Sequence, residues 1–107
     1  MFINVKTAEQ LEQERLLALK SNIESRTQQR LDDFARARNY ASMMSFCTSA
    51  TSANSRFSAE GQYGVAARDA TWAKLYEILA EVESGIRPVP ANYEDIEPEL
   101  PALEWPA

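Results

Sequence analysis

Residues 7–38 read TAEQLEQERLLALKSNIESRTQQRLDDFARAR, a stretch that contains neither glycine nor proline. Thr7-Ala8-Glu9-Gln10 opens it in the Thr-x-x-Gln form of a capping box. There the threonine hydroxyl accepts from a free amide of the first turn, and the glutamine reaches back to the cap. Leu16, Leu19, Ile23, Thr27, Leu31, Phe34 and Ala37 or Arg38 then recur at spacings of three or four, as one face of a helix requires. Charged and amide side chains from Glu12 to Arg36 fill the other faces. The spacing predicts one long amphipathic helix, about 45 Å if unbroken at 1.5 Å per residue.

Outward from that helix, Asn39-Tyr40 breaks the pattern. Ala41 to Ala50 then concentrates Met43, Met44, Phe46, Cys47 and Ala50, which predicts a short, mostly buried second helix. Residues 48–55, TSATSANS, have the small polar composition of a surface loop. Ser58 is the expected N-cap of a third helix, with Glu60 in its first turn at the positive end of the helix dipole. That helix should run to Ser84, with Ala66, Ala70, Ala73, Tyr76 or Glu77, and Ala80 in one row and Trp72, Leu75, Leu79 and Val82 in an adjacent one, together a wide apolar stripe. Gly85 stands where a left-handed residue closes a helix in Schellman fashion.

Charge divides the chain at about the same place. Residues 1–87 hold all 11 basic residues and balance them with acidic ones, so the net charge of −5 lies in residues 88–107. That tail also holds all five prolines, Pro88, Pro90, Pro98, Pro101 and Pro106, none of which fits a helix interior. The expectation is a single domain of 107 residues, with a helical body over 1–87 and an extended, acidic, proline-rich tail over 88–107. The fold class is all-α: an antiparallel hairpin of two long helices with a short buried helix between them. Two helices bury little by themselves, so a third layer must come from the tail or from another copy of the chain.

Composition narrows the chemistry. With no histidine, the commonest base near neutral pH and every Ser-His or Cys-His pair are missing. Cys47 is alone and cannot form an internal disulfide. Asp32 and Asp33 point about 100° apart on a helix, so they do not converge on one atom, and Glu94-Asp95 has no apolar wall to raise a pKa. No phosphate-cradling glycine loop and no metal-ligand spacing occurs, so we expect no enzyme, no cofactor and no metal. The acidic balance argues against a nucleic-acid partner. The absence of an 18-residue apolar run, with an N-terminus too soon polar for a secretory signal, argues against membrane insertion and for a cytoplasmic setting.

What remains is contact with another polypeptide. Gly61 and Gly64 expose backbone near the start of the third helix, and glycine inside a helix costs about 1 kcal/mol relative to alanine. They serve close approach by a partner helix, tight packing against Met43 to Phe46 of the same chain, or a frayed helix start. Tyr93, Leu100, Leu103 and Trp105 place apolar anchors in the acidic tail. Those anchors either fold back over the hairpin or dock on a partner in extended form, with Trp105 as an aromatic anchor. With Trp72, these seven residues are the candidate partner-binding positions, and the apolar stripe over residues 16–37 suits a homo-oligomer.

Several stretches together resemble a family of small proteins of tailed bacteriophages and prophages, encoded beside tail or tail-fibre genes. They are residues 29–36 (QRLDDFAR), 47–52 (CTSATS), 56–63 (RFSAEGQY), 67–72 (ARDATW) and 100–106 (LPALEWP). The closing Trp-Pro resembles the ends of tail-fibre and tail assembly chaperones. Longer relatives carry a β-rich segment before the helical part, to which only Met1–Lys6 corresponds here. The resemblance implies a non-enzymatic tail protein that binds a tail or tail-fibre polypeptide, as an assembly chaperone in the host cytoplasm or as a bound component of the virion tail. The alternative is a small phage-encoded inhibitor of a host protein.

Overall fold

A computed structural model describes residues 5–105. Helix α1 spans Ala8–Arg36 and opens with the expected box: the Gln10 amide donates to Thr7 Oγ1 at 3.1 Å, and the Thr7 amide donates to Gln10 Oε1 at 2.9 Å. It ends where Asn39 turns left-handed at φ 69°, a conformation that asparagine tolerates better than most residues. Helix α2 spans Met43–Thr48. Its first amides are held by Ser42 Oγ, at 3.2 Å from the Ser45 nitrogen, and by Asp32 Oδ1 of α1, at 2.9 Å from the Met43 nitrogen. Asp32 therefore serves as a second cap for α2, and its neighbour Asp33 pairs with Arg36 on the surface.

A 3-10 turn over Ser49–Thr51 leads into α3, Ser55–Glu83. The cap of α3 is Asn54 rather than the expected Ser58, because the Asn54 side chain accepts from both Arg56 and Phe57 amides. Glu60 consequently lies beyond the first turn. At the other end, Gly85 takes φ 79° and the Ile86 amide donates to Glu81 O at 2.9 Å, closing a Schellman motif, although Ile86 itself stays in solvent. The expected loop at 48–55 is half-buried at Ser49 and Ala50, because both lie against Gly61 of α3. Met44 departs from the expectation of a buried short helix and stays 75% exposed.

The molecule is all-α among the described residues, and the two long helices run antiparallel. Ile23 of α1 packs with Leu75 and Ile78 of α3, and Leu31 and Ala35 pack with Met43 and Phe46, near Ala67. These groups form two cores, one at each end of the hairpin, and Trp72 touches both. Between them Thr27 and Thr71 are fully buried, each hydroxyl donating at 2.8 Å to the carbonyl four residues back on its own helix, so neither is left unpaired.

The third layer is the tail. It is broken by two 3-10 turns, Tyr93–Asp95 and Glu97–Glu99, and inserts Tyr93, Ile96 and Leu100 into the core beside Ile23 and Ile78. Arginines of the body bind it from outside. Arg26 reaches Glu94 at 3.0 Å and lies over the Tyr93 ring, Arg30 donates to Pro101 O at 2.9 Å, and Arg87 chelates Glu99. The molecule is elongated, 65 × 36 × 19 Å.

Candidate functional site

Six of the seven candidate positions are occupied by their own chain. A Cβ on Gly61 would sit 2.1 Å from the Ala50 nitrogen, and one on Gly64 would sit 2.7 Å from the Phe46 ring. The backbone that glycine exposes is thus covered by α2 and the turn after it. Tyr93 and Leu100 are buried in the first core. Leu103 and Trp105 pack on the second, where Trp105 stacks on Phe34 at 4.3 Å and Phe46 at 4.9 Å between ring centroids, with the Arg38 guanidinium 4.5 Å from its own centroid.

Trp72 is the exception. Its half-buried ring packs against both cores and meets Tyr76 at 5.8 Å between ring centroids. Tyr76 is 58% exposed, and Val65 is exposed as well. Spacings of seven and four put Val65, Trp72 and Tyr76 on one flank of α3, an apolar and aromatic strip facing solvent. Sequence reasoning singled out Trp72 and placed Tyr76 only in the alanine row of the apolar stripe. That row, Ala66, Ala70, Ala73, Tyr76 and Ala80, is exposed, because the adjacent row of Thr71, Leu75 and Ile78 faces the core.

A second feature lies at the open end of the hairpin, where a trough of about 400 Å³ separates the helices. Leu16, Leu17, Leu19 and Ile23 line it from α1, Leu79 and Val82 from α3, and Val89 and Pro90 from the tail. Among the described residues, its charged linings are Lys20 and Glu83, one on each helix.

One buried polar group joins separate elements. Glu60 is buried and accepts from Arg38 at 3.2 Å, Arg56 at 3.3 Å and Tyr40 Oη at 3.2 Å, tying the end of α1 to α3. Burial pushes the Cys47 thiol above its usual pKa, so the thiolate, the nucleophilic form, is disfavoured. Burial likewise raises the Tyr93 phenol, with Glu97 adding to the effect. Among the described residues, no three acidic or thiol side chains converge as metal ligands, and no helix is long and apolar enough to cross a membrane. Compared with family models, with curated proteins and with solved structures, the chain matches none.

Proposed function

We propose that the protein is a non-enzymatic phage tail-region protein that binds a tail or tail-fibre polypeptide, either as an assembly chaperone or as a bound component of the particle. The phage setting rests on the sequence resemblance carried by residues 29–36, 47–52, 56–63, 67–72 and 100–106. The observation that supports binding is the exposed flank of α3, where Tyr76 leans on the half-buried Trp72. A rigid aromatic pair of this kind offers large contact area at little cost in side-chain entropy, and such residues dominate interface energetics. Because the tail anchors complete the protein's own core, the docking surface in this reading is the α3 flank and not residues 88–105.

The test is co-expression with the polypeptides of the neighbouring tail genes, followed by co-purification through this chain. Tyr76→Ala should weaken capture about tenfold or more, the range of a hot-spot truncation, and leave helical circular dichroism unchanged. Capture that ignores Tyr76→Ala would refute the α3 flank as the docking surface. Mass spectrometry of purified particles separates the two roles, since a component is present at fixed copy number and a chaperone is absent.

A further inference from the structure

Helices α1 and α3 each span 29 residues but are packed out of step. Fifteen residues of α1 precede Ile23, whereas α3 ends five residues after Ile78, which packs at the same level. About ten residues of α1, about 15 Å, therefore extend past α3. At the root of this overhang lies the apolar trough, open to solvent, with Leu17 on its rim and 67% exposed. Lys20 on one wall and Glu83 on the other make no ion pair among the described residues, with each other or with any other group.

We propose that the trough is closed by the same trough of a second copy of this chain, in a two-fold dimer with the amino-terminal halves of α1 antiparallel. A two-fold contact buries one patch against itself, so the patch must be self-complementary. An apolar floor with one cation and one anion on opposite walls meets that requirement, because the rotation that opposes Lys20 to Glu83 of the second copy repeats the pair on the other side. A partner dominated by one sign of charge would leave Lys20 or Glu83 facing a like charge. Ile23 packing with Leu75 and Ile78 puts Glu83 level with about Leu17, and a two-fold axis midway between Leu17 and Lys20, within the trough, would bring Lys20 of the second copy to the level of Glu83. The contact uses a different face from the Trp72–Tyr76 flank and stands whatever that flank binds.

Light scattering after size exclusion, on the purified full chain alone at micromolar concentration, should give about twice the 12.0 kDa monomer mass. Lys20→Glu and Glu83→Lys should each weaken dimerisation about tenfold or more, and the double variant should recover most of that loss. Leu17→Asp should give a monomer with unchanged helical circular dichroism, since Leu17 is exposed in the single copy. A chain that stays monomeric, a dimer indifferent to both charge reversals, or a double variant without recovery overturns the proposal. A chain that assembles only when a different polypeptide is added also overturns it. None of these outcomes bears on whether Tyr76 captures a tail polypeptide.

Discussion

Single residues at the α2–α3 contact are constrained to different degrees by what they touch. At Gly64 a methyl group meets the Phe46 ring, which is buried and stacked on Tyr40 and Trp105 and would have to be displaced, whereas at Gly61 it meets backbone of Ser49 and Ala50. Overpacking costs about 1–3 kcal/mol and alanine returns about 1 kcal/mol of helix propensity, so Gly64→Ala should lose about 1 kcal/mol net and Gly61→Ala distinctly more, read by urea unfolding. The sequence signalled two glycines that needed a reason; only the placement of Phe46 and Ala50 gave each its own. Glu60 is a similar case. It appeared as a dipole-complementing acid, yet it is the buried hub for Arg38, Arg56 and Tyr40. Arg56 is largely exposed and rehydrates easily, so Glu60→Ala should cost about 1–3 kcal/mol, most of it from Tyr40 and Arg38.

At the level of elements, the tail is held by ion pairs that titrate. Arg87 holds the Glu99 carboxyl below its ordinary pKa, and a backbone amide, followed by Arg26, does the same for Glu94. A carboxyl depressed in the folded state contributes stability that is present above its unfolded pKa of about 4.3 and is lost as pH falls through the lower folded value. Acid titration followed by Trp105 fluorescence should therefore show the tail loosening below about pH 4.3, and Glu99→Gln should flatten that limb. Both carboxylates are solvent-exposed, so the effect is modest and shrinks with salt. Caps matter in the same way: Asn54→Ala removes two amide partners from α3 and should cost about 1 kcal/mol in thermal unfolding.

For the whole molecule, the tail supplies the layer that a two-helix hairpin lacks. Removing residues 88–107 takes Tyr93, Ile96 and Leu100 from the first core and Trp105 from the second. The truncated chain should lose its cooperative thermal transition rather than survive as a stable hairpin, as measured by circular dichroism. Shape is equally open to test. The Cα radius of gyration is 18.1 Å, against about 13 Å for a compact domain of this size, so X-ray scattering from the monomeric Leu17→Asp variant should report an elongated particle.

The helices themselves were legible because periodicity, capping boxes and helix-ending glycines act locally. Residues 7–38 specify α1, and Gly85 ends α3 whatever surrounds them. Which face of the tail turns inward depends on the distance between α1 and α3 and on where arginines 26, 30 and 87 reach, and no short stretch of chain encodes that. The same holds for the overhang and its trough, which arise from the register between two helices of equal length packed out of step. Local spacing determined the elements of this protein; long-range packing decided which apolar residues remained for a partner.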